Sequence, residues 1–114
     1  QLNQIDWSLK STNAAVYNYY KDLIAIRRAH PGFRMTTWDE IYNNVTTSDS
    51  NGVVTQYIKA SAKGDSWNEI KVIYNPGNDI TVDSTGWTKV FDGNGATSAT
   101  DGTCKGTAIT IFKK

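Results

Sequence analysis

What most limits the folds open to this chain is a change of hydrophobic period near residue 35. Val16, Tyr19, Tyr20, Leu23 and Ile26 recur at spacings of three and four, which gathers them on one face of a helix. Asn18, Lys21, Asp22 and Arg28 fall largely off that face. Ser11, Thr12 and Asn13 offer side-chain oxygens to cap its start. Arg27, Arg28 and His30 bring positive charge to its end, where the helix dipole favours it. Pro31-Gly32 stops it, because proline disfavours helical geometry in the residue before it. The reading predicts a helix over residues 13–29. Thr37-Trp38-Asp39-Glu40 has the capping-box pattern, so a shorter helix follows and runs out by Asn43-Asn44.

Beyond that point the signals are β. Asn51-Gly52 is a tight-hairpin dipeptide, since both residues tolerate positive φ. Strands are expected over Val53–Lys59, Glu69–Tyr74, Asp79–Asp83, Trp87–Phe91 and Thr107–Phe112. The second of these is apolar on both faces and is expected at the centre of its sheet. Residues 93–106 are rich in Gly, Ser, Thr and Ala and read as a loop. Five short strands punctuated by turns point to a mainly β fold, an antiparallel Greek-key β-sandwich preceded by a helix.

That helix is an unusual appendage to a small sandwich. Burying its five large side chains would contribute roughly 8–15 kcal/mol, at about 1.5–3 kcal/mol each, as much as a whole domain's net stability. Such a face implies a partner. It is expected either to pack on a second copy of the chain or to fold back over its own sandwich. Self-association is the favoured expectation if the sandwich's faces are already closed.

Composition excludes some functions. Twelve Lys plus Arg against eleven Asp plus Glu give a net charge of +1, without the basic surplus of a nucleic-acid footprint. No apolar run approaches the ~20 residues that cross a bilayer, so no membrane partner is expected. The first residues, Gln1 to Trp7, do not read as a signal peptide, and the start without Met suggests a piece of something longer. The lone Cys104 and lone His30 do not suggest a catalytic thiol pair; a bystander thiol is expected. No cofactor and no metal is expected. Asp92-Gly93-Asn94-Gly95 lacks the further carboxylates of a calcium loop and reads as a hairpin turn. Asn44-Val45-Thr46 is an acceptor sequon.

Two stretches carry a family resemblance. One is Asn3-Gln4-Ile5-Asp6-Trp7. The other runs from Tyr19 through Leu23-Ile24-Ala25-Ile26-Arg27-Arg28-Ala29-His30-Pro31 to Phe33-Arg34-Met35. With them the chain resembles glycoside hydrolase family 13, and the type I pullulanases within it. Ile70-Lys71-Val72-Ile73-Tyr74-Asn75-Pro76 is similar to that family's central sandwich strand. The resemblance implies that residues 1–35 are the tail of a catalytic (β/α)8 barrel, its last loop and helix, and that residues 36–114 are the C-terminal β-sandwich domain. It implies a parent enzyme that hydrolyses α-1,6-glucosidic bonds in pullulan, starch or glycogen, with retention. That chemistry needs two carboxyl groups ~5 Å apart. In the family these lie on earlier barrel strands, so no catalytic residue is expected in this chain. The partners implied are an α-glucan and the missing barrel.

By the same resemblance, Asn3 and Asp6 stand just past the barrel rim that carries active sites and are the candidate carbohydrate-binding residues. An amide both donates to and accepts from sugar hydroxyls. The competing reading is that Asp6 and Trp7 lock the loop onto the barrel. Among the four tryptophans, Trp7 and Trp38 are expected at the barrel–sandwich junction, while Trp67 and Trp87 are candidate sugar platforms or strand-end packing. The alternative function is a free-standing carbohydrate-binding β-sandwich module built on those rings.

Overall fold

A computed structural model describes residues 6–114 of the chain. A single turn, α1 (Leu9–Thr12), leads into α2 (Ala14–Ala29); a 3-10 turn over Pro31–Phe33 and a seven-residue helix, α3 (Trp38–Asn44), follow. The strands are β1 (Val45–Ser50), β2 (Val53–Ile58), β3 (Ile70–Asn75), β4 (Ile80–Thr81), β5 (Thr88–Asp92), β6 (Gly95–Ala99), β7 (Thr103–Cys104) and β8 (Ala108–Lys113). Six of them form one antiparallel sheet in the order β1-β2-β3-β8-β5-β6, and β4 pairs with β7 in a second, two-stranded sheet. The fold is mainly β, a sandwich of very unequal layers.

Local chemistry explains most boundaries. Asn51 and Gly52 both take positive φ, 53° and 82°, and close the β1–β2 hairpin, with Ser50 opposite Val53. At α3 the Thr37 hydroxyl accepts from the Glu40 N–H, and the Glu40 carboxylate accepts from the Thr37 N–H, so the capping box forms in full. Glu40 is also tied to the sandwich through Lys63. The start of α2 differs from expectation. No side chain caps it: Ser11 and Thr12 belong to α1, and Asn13, which ends α1 by donating its N–H to the Leu9 carbonyl at 2.8 Å, makes no side-chain cap.

The sheet's two faces build two cores. On β3, Ile70 and Val72 point to one face, with Ile58 of β2 and Ile111 of β8 beside them. Lys71 and Ile73 point to the other. Residues 70 to 73 are all buried, as a central strand requires. The first face is covered by α2, whose Tyr19, Leu23 and Ile26 pack on that core. The second face carries Ile73 and Phe112 against Cys104, Ile80, Val82 and Trp87 of the small sheet and its flanks.

The helix therefore folds back over its own sheet, and the sandwich faces are not closed without it. The expected stripe divides lengthwise: Tyr19, Leu23 and Ile26 are covered, while Val16 and Tyr20 remain 57% and 59% exposed. A one-residue bulge in β5, between Lys89 and Phe91, adds to the seal. It lets Lys89 face the small sheet opposite Phe112, while Phe91 turns to the helix side opposite Ile111. There its ring lies 4.9 Å from that of Tyr19.

Residues 93–106 do not form a loop. They supply β6 and β7, whose pairing with β5 and β4 overrides the weak strand preference of Gly, Ser and Ala. Asp92 to Gly95 is the hairpin turn between β5 and β6, with the Asn94 N–H bonded to Asp92 Oδ1 at 2.8 Å.

Buried Lys89 pins this region down, donating to Asp101 Oδ2 at 3.0 Å and to the Thr103 carbonyl at 3.1 Å. The Lys89 bond, helped by Thr103, lowers the Asp101 carboxyl from 3.8 to about 2. A depressed carboxyl stabilises the fold fully above its unfolded value, and that support drains as pH falls toward about 2. The stability gap between the chain and Asp101→Asn should therefore be constant above pH about 4 and close as the pH falls to about 2. Urea melts at stepped pH measure it, and a gap that persists unchanged at pH about 2 refutes it.

Candidate functional site

Of the residues singled out for a sugar subsite, Asn3 lies outside the described residues. Asp6 is exposed and turns back on its own chain: its Oδ1 accepts from the Ser8 hydroxyl at 2.6 Å and the Ser8 N–H at 3.0 Å. Those two bonds hold its carboxyl below the usual range. It fixes the approach to α1 and lines none of the recesses described below.

Of the two roles open to Trp67 and Trp87, sugar platform or strand-end packing, the structure shows packing. Trp67 stacks on His30, with ring centroids 3.4 Å apart and planes at 16°. Trp87 lies beneath the Lys71 and Lys114 ammonium groups, at 4.5 and 5.4 Å. Neither ring offers a free platform. Trp7 and Trp38 are open to solvent, and Trp38 stacks on Tyr42 one turn along α3, with centroids at 4.7 Å.

The strongest polar constellation is structural. Asp65, whose side chain is fully buried, accepts from three groups: the His30 ring through Nδ1 at 2.8 Å, the Gly32 N–H at 3.0 Å and the Trp67 N–H at 3.0 Å. Burial opposes its ionisation, but the bonds from His30, Trp67 and Gly32 outweigh that and hold the carboxyl below its usual value. Gly32 is required here by contact, since a Cβ would lie 2.7 Å from the Ala60 Cβ. The node clamps the end of α2 to the β2–β3 connection. The sequence marks His30 only as charge at the helix end, and it does not mark Asp65, which sits 35 residues away in a polar loop with no local pattern.

Among the described residues, three recesses stand out on the surface. The first, about 410 Å³, is an apolar groove on the helix side of the sheet, between Leu23, Ile26, Phe33, Met35 and Ile41 on one side and Ile58, Val72 and Ile111 on the other. The second, about 250 Å³, is more polar and is lined by Asn43, Asn44, Thr46, Tyr57, Lys59 and Glu69 over the ends of Ile58 and Ile70. The third, about 460 Å³, runs between the β1–β2 hairpin and the loop after β3, and includes Asn51, Asn75 and Asn78. Asn75 is fully engaged, donating to the carbonyls of Asn78, Cys104 and Lys105.

Among the described residues, none of these recesses is lined by two carboxylates, the pair a retaining glycosidase needs. No group of three His, Cys, Asp or Glu side chains is placed to hold a metal there. Cys104 is buried in the second core, where burial pushes its thiol up, while His30 is committed to Asp65 and Trp67. The sequon asparagine, Asn44, spends its amide donating to the Glu40 carbonyl at 2.9 Å. No described helix is long and apolar enough to cross a membrane.

No protein-family model matches the chain. Solved structures do. The pullulanase from Bacillus acidopullulyticus superposes with a TM-score of 0.84 at 33% identity, covering 98% of this chain and 15% of that one. The pullulanase from Paenibacillus barengoltzii, in complex with maltohexaose and alpha-cyclodextrin, gives 0.77 at 28% identity over 97% of this chain and 18% of its own. The type I pullulanase from Bacillus subtilis, complexed with maltose, shares the fold at 0.80 and 21% identity, covering 97% of this chain and 17% of that one. This chain thus spans less than a fifth of the length of each structure it matches. Its mainly β fold with a six-stranded antiparallel sheet matches their C-terminal domains.

Proposed function

We infer, from the premise that this chain is the C-terminal part of a pullulanase-like protein, that it serves a debranching glycoside hydrolase as a non-catalytic, structural segment. The observation that carries this is the match itself: nearly the whole chain aligns, at up to 33% identity, with less than a fifth of pullulanases. The parent enzyme would hydrolyse α-1,6-glucosidic bonds in pullulan, starch or glycogen, using carboxylates from a barrel that precedes these residues.

On this reading residues 1–35 end the barrel and residues 36–114 are the C-terminal sandwich. The outward side of α2, where Val16, Tyr20 and Ile24 are each more than half exposed, is then the face the barrel covers. In the isolated chain the same face is free for self-association. Asn3 and Asp6 would stand near a sugar subsite of the whole enzyme, with Asp6 holding its loop through Ser8. The chain's own contribution is mechanical. Tyr19, Leu23 and Ile26 fasten the last barrel helix to the sheet, and the Asp65 node fixes its exit.

The purified chain should release no reducing ends from pullulan. Turnover well above the blank that survives a second purification overturns the reading. Joining the chain to an upstream barrel that bears the catalytic carboxylates should give activity.

A further inference from the structure

We propose that the recess where α3 ends, β1 begins and β2 meets β3 is a single-unit sugar site, taking one glucosyl residue of an α-glucan. The identity of the sugar rests on the function proposed above; the site itself rests on the recess. A pyranose ring presents a flat C–H face and a rim of hydroxyls. It is held by an aromatic ring on the first and by forked polar groups on the second.

The recess offers both. Tyr57, 44% exposed, lines it on the face opposite α2, and the buried Ile58 and Ile70 reach it from β2 and β3 with their side chains turned to the helix side. Asn43, Thr46, Lys59 and Glu69 also line it, residues that carry an amide, a hydroxyl, an ammonium and a carboxylate. Among the described residues, no side-chain hydrogen bond or ion pair engages Asn43, Thr46, Tyr57 or Lys59. Glu69 has only a wide ion pair with Lys114, at 3.6 Å. These groups are therefore free to meet sugar hydroxyls.

Size sets the ligand. About 250 Å³ falls below the 300–1,000 Å³ usual for drug-sized ligands, which suits one ring of a chain whose neighbours pass through solvent. The frame is also fixed. Thr46 lies opposite Tyr57 across the β1–β2 pair, the Lys59 N–H bonds the Asn44 carbonyl at 2.8 Å, and the Asn44 amide ties back to α3. The larger groove beside α2 is more apolar, with Arg27 and Gln56 its charged and amide-bearing side chains among mostly aliphatic ones.

Affinity electrophoresis through gels containing pullulan tests the site on the whole chain, with maltotriose titrated in nuclear magnetic resonance to map the contact. Slower migration in pullulan gels is expected, with shifts centred on Asn43, Thr46 and Tyr57. Tyr57→Ala should weaken binding about fivefold or more, on the scale of one stacked ring. Tyr57→Phe should keep most of it, and Asn43→Ala should lose about threefold, on the scale of one hydrogen bond. Circular dichroism checks that the variants fold. No retardation of the chain, equal retardation of Tyr57→Ala, or loss on Trp38→Ala instead would each overturn the proposal. None of those outcomes bears on whether the chain is catalytically silent, which the reducing-end assay decides separately.

Discussion

Truncating Phe91 to Ala is expected to remove about 3–5 kcal/mol of unfolding free energy, a large part of what a domain of this size holds. Phe91 is fully buried and faces Ile111 across the sheet and Tyr19 of α2. The void would open between helix and sheet, where neither can move without losing other contacts. The helix should suffer more than the strands, because Tyr19, Leu23 and Ile26 are its grip on this core. Urea denaturation gives the total, and amide exchange locates it. Protection should fall further in residues 14–29 than in 70–74. A loss below about 1 kcal/mol, or equal loosening of both elements, would contradict the account.

Replacing Asp65 by Ala should cost a similar amount, about 3–5 kcal/mol, for a different reason. One side chain satisfies His30, the Gly32 N–H and the Trp67 N–H, so its removal leaves three partners unpaired at a buried junction. Asp65→Asn keeps the shape but offers one acceptor oxygen where two now work, and should recover less than half of the loss. The readout is again urea denaturation, joined by tryptophan fluorescence, since Trp67 stacks on the freed His30 ring. Unchanged stability in Asp65→Ala would mean that water replaces the carboxylate without penalty.

The elements with local chemistry were legible from sequence. The Asn51-Gly52 hairpin, the Thr37–Glu40 capping box and the doubly apolar β3 each rest on residues close together in the chain. What was missed depends on distant partners. Ala96 to Ala99 have little strand preference of their own, and β6 exists because β5 pairs with it. β7 lies where the chain passes so close to Val82 that a Cβ on Gly102 would stand 1.8 Å from the Val82 carbonyl oxygen. A glycine followed by Thr-Cys carries no sign of that. The helix stripe was read correctly as apolar, but which half of it the sheet covers depends on the sheet's position.

The same limit applied to sites. The four tryptophans drew attention as the largest flat rings, yet Trp67 and Trp87 are occupied by His30 and by lysines. Tyr57, Asn43, Lys59 and Glu69 are unremarkable in order along the chain and meet only because three element ends converge. An unmatched aromatic on a strand otherwise rich in Val and Thr was the single hint available.

The bulge in β5 gives the sheet an odd-numbered step. In a regular strand, residues two apart share a side, yet here Lys89 and Phe91 look in opposite directions. Ironing the bulge out at full length would put both on one side, an ammonium thrust among the helix contacts or a benzyl group taken from them. Deleting Val90 would not: it makes the two residues neighbours, and neighbours alternate in a regular strand, so Lys89 would still face the small sheet and Phe91 the helix. The strand can therefore lose Val90 or keep its bulge, but it cannot be straight at its present length without giving up either the Lys89 anchor or the helix contact of Phe91.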